Sequence, residues 1–173
     1  MERVWYVAYG SNLALGRFRC YLAGGRPAGG ARVYPGCRDR SDAARMEGVE
    51  LAGGLVFAGA SRVWGGGSAF FDRAALSRVA GRAYLLTPDQ LGDVAAQEMR
   101  RDPGGSYARE VAELDPVAPT APYLRWIAAG LVEAHGWSLD QVVEYLQGAP
   151  GVQLGWTPGA LLSVLDGDAG GGG

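Results

Sequence analysis

The sequence contains no lysine, and its one histidine and two cysteines leave few groups for the familiar kinds of catalysis. All 16 basic residues are arginine. Without lysine the chain can form no Schiff base and can supply no P-loop lysine. With only His135, Cys20 and Cys37 available, it cannot build a Cys/His zinc site by itself. We expect no metal and no cofactor, and we expect carboxylates or tyrosines to carry any proton transfer.

Net charge and hydropathy argue against a nucleic-acid partner and against a membrane partner. The formal net charge is −2 and the pI is near 5.4, which argues against a nucleic-acid-binding surface. No apolar run approaches the roughly 20 residues that span a bilayer. The first residues, Met1-Glu2-Arg3, do not have the layout of a signal peptide. We therefore expect a cytoplasmic protein with reduced thiols and with no nucleic-acid or membrane partner. No pattern indicates its oligomeric state.

Turn signals divide the chain into short strands followed by helices. We expect one domain over residues 1–166 and a disordered glycine-rich tail over residues 167–173. The predicted strands cover residues 4–9, 31–34, 62–64, 69–71, 79–86 and 107–114, with a hairpin over 49–60 that turns at Gly53-Gly54. The predicted helices cover residues 13–22, 87–101, 123–135, 138–146 and 157–165.

Helix-start signals are strong at two places. Thr87 with Gln90, and Ser138 with Gln141, have the spacing of a capping box. Early and central strands followed by helices indicate the α+β class. The expected architecture is a small, mostly antiparallel, partly closed β-barrel with flanking helices.

Glu98 is the most informative acidic residue. Leu91, Val94 and Ala95 precede it by seven, four and three residues, which predicts that Glu98 shares their apolar, interior-facing stripe. A buried carboxylate has a raised pKa unless it is paired, and a pKa near neutrality suits a general base. The alternatives are that Glu98 pairs with an arginine or lies at the edge of the stripe.

Residues 9–13 (YGSNL) join the first strand to the first helix. A glycine-containing junction of this kind exposes backbone N–H groups that bind carboxylates or phosphates. The alternative is a plain turn in which Ser11 or Asn12 caps the helix. Tyr123, at the start of a later helix, is either a core tyrosine or a phenol that bonds a polar ligand.

The remaining reactive groups have simpler interpretations. His135 precedes Gly136 and fits the end of a helix, where a histidine interacts favourably with the helix dipole. Neither Cys20 nor Cys37 has a neighbour that would activate it, so both are expected to be inert thiols.

Four segments together resemble the γ-glutamylcyclotransferase family, in order from about residue 4 to residue 147. Residues 7–13 (VAYGSNL) resemble its substrate-binding loop, and residues 63–69 (VWGGGSA) resemble its aromatic, glycine-rich strand. Residues 91–98 (LGDVAAQE) resemble the helix that carries its catalytic glutamate. The C-terminal helix of the family, with its substrate-contacting tyrosine, is similar to a segment that contains Pro122, Tyr123, Ile127, Gly130, Glu133 and Gly136.

The resemblance implies a small-molecule γ-glutamyl substrate, whose own α-amine attacks its γ-carbonyl to give 5-oxoproline and a free amine. Glu98 would be the general base and acid. The substrate would be bound by Tyr9, Gly10, Ser11, Asn12, Leu13 and Tyr123. The leaving amine stays open between a dipeptide, glutathione, a γ-glutamyl amine and a natural-product intermediate. Two other functions also stay open: a non-catalytic module that binds γ-glutamyl ligands or regulates, and a thiol hydrolase using Cys20 or Cys37.

Overall fold

The computed structural model describes residues 2–98 and 115–167, which contain five strands and five α-helices. The strands are β1 (Val4–Ala8), β2 (Arg45–Ala52), β3 (Gly54–Ala58), β4 (Ser68–Asp72) and β5 (Arg78–Leu86). The helices are α1 (Leu15–Leu22), α2 (Pro88–Glu98), α3 (Ala121–His135), α4 (Leu139–Gln147) and α5 (Pro158–Asp166). Two short 3-10 helices cover Ser11–Leu13 and Val152–Leu154.

Strand β5 is the centre of the main sheet, with β1 on one side and β2 on the other, both antiparallel to it. It is rich in apolar residues and buried along nearly its whole length, as a central strand requires. Strands β3 and β4 form a second antiparallel pair. The expected α+β class with antiparallel strands is therefore confirmed. The described strands form two separate sheets and not a closed barrel.

The predicted hairpin over residues 49–60 is wrong. Strand β2 pairs with β5 and β3 pairs with β4, so the chain changes sheet at Gly53. Gly53 has a φ of 147°, and its N–H donates to the carbonyl of Ser77 at 3.0 Å. A glycine is suited to this corner because it adopts positive φ without steric cost.

Two further predicted strands are absent from the described chain. Residues 62–64 form a turn because the Ser61 hydroxyl accepts hydrogen bonds from the N–H groups of Val63 at 3.2 Å and Trp64 at 3.0 Å. Residues 31–34 are irregular, and Tyr34 makes only an isolated bridge with Gly25. The predicted strand over 107–114, the predicted end of α2 near residue 101 and the tail over 168–173 lie outside the described residues.

The helix-start predictions are confirmed. Thr87 and Gln90 exchange hydrogen bonds of 3.1 Å, and Ser138 and Gln141 form the second capping box. The helix predicted over residues 13–22 is interrupted at Ala14, whose ψ of 127° separates the 3-10 turn from α1. No described helix has both the length and the apolar composition needed to cross a membrane.

Two apolar clusters meet at the loop between β1 and α1. One contains Phe18, Tyr84 and Val94, and the other contains Phe57, Leu124 and Leu131. The chain enters the loop from Ala8 in the first cluster and leaves it through Leu13 in the second. Because both ends are buried in packed regions, the loop is held firmly between them.

Candidate functional site

The loop after β1 is fixed by backbone and side-chain hydrogen bonds. The N–H of Leu13 donates to the carbonyl of Gly10 at 3.0 Å. The buried Tyr84 hydroxyl donates to the carbonyl of Asn12 at 2.7 Å. On α3, Gly130 has no room for a Cβ, which would overlap Leu13 and Ala14. The absence of a side chain at Gly130 thus lets α3 pack directly on the loop.

Glu98 does not lie on the buried face of α2, which corrects the predicted stripe. The buried residues of this helix are Gln90, Val94 and Gln97, whereas Glu98 is exposed as a residue. Gln90 and Gln97 can be buried because their amides are bonded: Gln90 donates to the carbonyl of Ser41 at 2.9 Å and Gln97 to that of Tyr21 at 3.1 Å. Hydrogen bonds to the carbonyls of Ser41, in a loop, and Tyr21, in α1, thus allow two polar side chains to share the buried face of α2 with Val94.

The Glu98 carboxylate nevertheless points back to β1 and the loop. The Tyr6 hydroxyl donates to Glu98 Oε1 at 2.9 Å, and the Asn12 amide Nδ2 donates to the same oxygen at 2.9 Å. Asn12 Nδ2 also donates to the Tyr6 hydroxyl at 2.9 Å. The Tyr6 hydroxyl, Asn12 Nδ2 and Glu98 Oε1 thus form a hydrogen-bonded triangle, which joins side chains from β1, the loop and α2.

The environment of Glu98 raises its pKa. The largest cause is desolvation by the surrounding protein, opposed by the hydrogen bonds from Tyr6 and Asn12 and by the positive charge of Arg17. The residue has an exposed edge, but its carboxyl end sits among protein atoms, and it is that end which sets the pKa. Burial also raises the pKa of Tyr6 well above its ordinary value, with the nearby Glu98 charge as the second cause. At neutral pH the Tyr6 phenol is therefore a donor to the carboxylate.

The triangle and the loop line the same cavity, which has a volume of about 360 Å³. Of the residues predicted to form the site, Tyr9, Gly10, Ser11, Asn12, Glu98 and Tyr123 all line it. Leu13 does not: its side chain is fully buried in the apolar core, and its N–H is already bonded to Gly10. A carboxylate that opens onto such a cavity can exchange a proton with a bound ligand.

Tyr123 lines the cavity next to the loop. Its hydroxyl accepts a hydrogen bond from the N–H of Ala69 at 3.2 Å, and its ring stacks on Trp64 with a centroid separation of 5.3 Å. A Cβ built on Gly10 would lie 3.0 Å from the Tyr123 hydroxyl. A side chain at position 10 would therefore require the Tyr123 hydroxyl to move by a few tenths of an ångström.

Several cavity residues were missed by sequence reasoning. They are Tyr6, Arg17, Tyr21, Tyr34 and Trp64. Tyr6 lies on β1 just before the predicted loop, but no local pattern marks it for the cavity, since Val7 and Ala8 line it as well. Nothing in the local sequence separates Arg17 from the other 15 arginines.

His135 and the cysteines lie elsewhere. His135 ends α3 as predicted, with its Nε2 atom 2.9 Å from the carbonyl of Gly81. Burial raises the pKa of Cys37 to about 11 and also raises that of Cys20. Neither cysteine lines the cavity, and within residues 2–98 and 115–167 no three His, Cys, Asp or Glu side chains are grouped as metal ligands.

A second, larger cavity of about 540 Å³ lies between α1, β2 and α3. It is lined by Arg82 and Glu133, which form an ion pair with an N–O distance of 2.8 Å. None of the predicted site residues lines it. The smaller cavity is the better candidate site, because it contains the carboxylate with the raised pKa.

Comparison with solved structures places this architecture among known folds. A structure described as a gamma-glutamyl cyclotransferase superposes with a TM-score of 0.57, covering 96% of this chain and 99% of the other at 15% identity. The chain has a γ-glutamylcyclotransferase-like fold. An uncharacterized protein from Homo sapiens also matches with a TM-score of 0.57, over 91% of this chain and 92% of its own, at 16% identity.

Sequence comparisons add little to this result. No family model matches the chain. Histone deacetylase 5 of Arabidopsis thaliana is 35% identical in an alignment 99 residues long that covers 55% of this chain. The match spans only 15% of that protein's length.

Proposed function

We propose that the protein is a γ-glutamylcyclotransferase-like enzyme that releases an amine from a γ-glutamyl amide and forms 5-oxoproline. The observation that carries the proposal is that Glu98 and the Gly10–Asn12 loop line one cavity. The fold likeness to a gamma-glutamyl cyclotransferase supports it. So does the composition, because the reaction needs neither a lysine nor an enzyme nucleophile.

The substrate is its own nucleophile. The nitrogen of its α-amine forms a bond to its γ-carbonyl carbon, which closes a five-membered lactam, and the original amide C–N bond breaks. Glu98 takes a proton from the α-amino group and passes it to the departing nitrogen, so that the carboxylate is regenerated. Positioning and proton transfer are the whole task of the protein, and both are strong catalytic effects.

The triangle around Glu98 fits this role. Tyr6 and Asn12 both bond Oε1, so neither of them engages Oε2, which would take the proton. The backbone of Gly10, Ser11 and Asn12 would bind the α-carboxylate of the substrate, with the Tyr123 hydroxyl beside Gly10. Tyr9, whose ring lies against Phe71 with a centroid separation of 5.8 Å, would close the end of the γ-glutamyl subsite.

Incubation with a panel of γ-glutamyl compounds, followed by mass spectrometry for 5-oxoproline, tests the proposal. The panel contains γ-glutamyl dipeptides, glutathione and γ-glutamyl amines. We expect product with at least one of them, and none with Glu98→Gln, which keeps the hydrogen-bond acceptor but cannot take the proton. Glu144→Gln, at an exposed carboxylate on α4, is the matched control and should remain active. Turnover that persists in Glu98→Gln would reject the assigned role of Glu98.

The alternative functions give different outcomes. A module that binds without turnover would be stabilised against heat by a γ-glutamyl ligand but would form no product. A thiol hydrolase would lose activity when its cysteines are alkylated. The raised pKa values of Cys20 and Cys37 and their positions outside the cavity disfavour that chemistry.

A further inference from the structure

Arg17 is a buried arginine in the wall of the candidate site. It lies on the inner face of α1, is only 2% exposed, and lines the same cavity as Glu98. Burying a guanidinium is costly unless its charge and its five N–H groups are matched. The side chains that contact the guanidinium therefore indicate the role of its charge.

The guanidinium of Arg17 is held by aromatic rings. Its central carbon lies 4.5 Å from the ring centroids of both Tyr21 and Tyr34 and 5.9 Å from that of Trp64. Its Nη2 donates to the Tyr34 hydroxyl at 2.8 Å. Cation–π contacts of this length are favourable, and they fix the position of the charge without cancelling it.

No carboxylate pairs directly with Arg17 among the residues that the structure describes. Its Nε and Nη1 atoms are buried and lack a hydrogen-bond partner within residues 2–98 and 115–167. Arg19, two residues along the same helix, pairs instead with Asp42 at 2.8 Å. Of the described side chains that line the cavity, Arg17 and Glu98 are the charged ones.

The charges of Arg17 and Glu98 act on the same neighbouring side chain. Tyr21 of α1, which stacks on Arg17, feels both the positive charge of Arg17 and the negative charge of Glu98. The other titratable groups in the described wall are the phenols of Tyr6, Tyr9, Tyr34 and Tyr123. Among the described residues, Arg32 is a further cation close to Glu98, because its Nη1 donates to the carbonyl of the preceding residue, Gln97, at 2.6 Å.

We propose that Arg17 is a positioning residue whose fixed positive charge, acting through space, keeps Glu98 in its carboxylate form inside the cavity. Its aromatic cage holds the cation away from direct contact with Glu98, so Glu98 stays available to a ligand and no ion pair locks it. An unmatched buried cation in a cavity wall is otherwise an unfavourable feature. The catalytic consequence rests on the proposed function, since the carboxylate is the form that accepts the proton.

The direct test is an NMR titration of the Glu98 side-chain carboxyl carbon, assigned by its loss in Glu98→Gln. Arg17→Gln removes the charge but keeps an amide that can bond Tyr34, and Arg17→Lys keeps the charge. We expect an upward shift of the pKa of Glu98 in Arg17→Gln and a clearly smaller shift in Arg17→Lys, because an opposite charge favours the ionised form. If the two variants shift the pKa equally, or neither shifts it, the proposal is overturned.

Arg32→Gln and Arg19→Gln are the charge controls, and both should leave the pKa of Glu98 closer to the wild-type value than Arg17→Gln does. A larger shift in Arg32→Gln would assign the role to Arg32 and overturn the proposal for Arg17. These titrations need no turnover, so their outcome is independent of whether 5-oxoproline is formed.

If the Arg17 variants do not fold, an NMR titration of Arg17 in the wild-type protein tests the same coupling. Charge coupling is reciprocal, so the Arg17 15Nε resonance should move with the same midpoint as Glu98 and should stay still in Glu98→Gln. An Arg17 resonance that does not follow the titration of Glu98 would reject the coupling.

Discussion

The Asn12 amide donates a hydrogen bond of 2.9 Å to Oε1 of Glu98, across 86 residues of sequence. Asn12 belongs to the loop after β1, and Glu98 is the last described residue of α2. The bond ties the carboxylate directly to the loop that lines the same cavity. The group proposed to move the proton and the loop proposed to bind the substrate therefore hold each other in place.

Removing the Tyr6 hydroxyl should weaken this arrangement. Tyr6→Phe deletes a donor to the carboxylate, which should raise the pKa of Glu98 and loosen its orientation. A hydrogen bond to a charged group contributes about 1.5–3 kcal/mol, so we expect kcat to fall about tenfold or more. Steady-state 5-oxoproline formation against pH measures both effects, since the acid limb should move to higher pH.

Tyr145→Phe is the matched control for Tyr6→Phe. The Tyr145 hydroxyl is bonded to the N–H of Ala80 at 3.2 Å and lies outside the cavity lining. The Tyr145→Phe substitution should lower the stability somewhat and leave the pH profile of 5-oxoproline formation unchanged. A Tyr6→Phe enzyme with an unmoved acid limb would contradict the role of Tyr6.

The raised pKa of Glu98 also predicts how stability changes with pH. A carboxyl whose pKa is higher in the folded than in the unfolded state stabilises the fold below its unfolded pKa, and this contribution is lost as pH rises through the folded pKa. Glu98→Gln stays neutral at every pH. It should therefore melt at a higher temperature than wild type at pH 8, with the difference shrinking on acidification below the folded pKa.

Differential scanning calorimetry at pH 8 and at pH 4 measures this difference. Glu144→Gln, at an exposed site, should show no comparable change between the two conditions. A melting-temperature gap for Glu98→Gln that stays constant across the range would mean that Glu98 titrates normally.

A methyl group at Gly130 should push α3 away from the loop. The added Cβ would overlap Leu13 and Ala14, where the backbone is packed and cannot give way cheaply. We expect Gly130→Ala to destabilise the protein by about 1–3 kcal/mol, as overpacking does in well-packed cores. Urea denaturation measures the loss, and substrate affinity should fall with it because the loop moves.

Gly92→Ala on α2 is the matched helix control. A Cβ there meets nothing within 4 Å, so the substitution should stabilise by up to about 1 kcal/mol through helix propensity. If Gly130→Ala were as well tolerated as Gly92→Ala, the close contact between α3 and the loop would be disproved.

Loss of the Glu133 carboxylate should also destabilise the start of α1. Oε2 of Glu133 accepts hydrogen bonds from the backbone N–H of Leu15 at 3.0 Å and from Arg82 at 2.8 Å. Arg82 is buried, so Glu133→Ala leaves a buried cation without its partner, and we expect a loss of about 2 kcal/mol in urea denaturation. Glu50→Ala, which breaks the exposed pair with Arg78, should cost no more than about 1 kcal/mol.

Local signals in the sequence predicted much of the fold. Capping boxes at Thr87 and Ser138 located helix starts because their hydrogen bonds lie within four residues. The strand pairing over residues 49–60 was not predictable in this way. Whether β2 turns back on β3 or pairs with β5 depends on residues some 30 positions away, and Gly53 permits either outcome.

The lining of the candidate cavity was predicted in part. Glu98 was selected because it follows Leu91, Val94 and Ala95 at helical spacing, yet α2 buries Gln90 and Gln97 instead. Periodicity cannot reveal that a glutamine will find carbonyl partners on a distant loop. Tyr34 and Arg17 were missed for the same reason, since their contact joins two segments with no shared local pattern.

By itself the sequence determined the absence of lysine chemistry, the helix caps, the antiparallel α+β class and the residues of the loop after β1, because these depend on composition or on neighbours along the chain. Tertiary structure decided which face of α2 is buried, which strands pair, and that Glu98, Asn12 and Tyr6 share one oxygen atom. It also decided that Arg17, alone among the described arginines, lies in the wall of the candidate cavity. Long-range packing and the pairing of buried polar groups fix these features, and no local pattern encodes them.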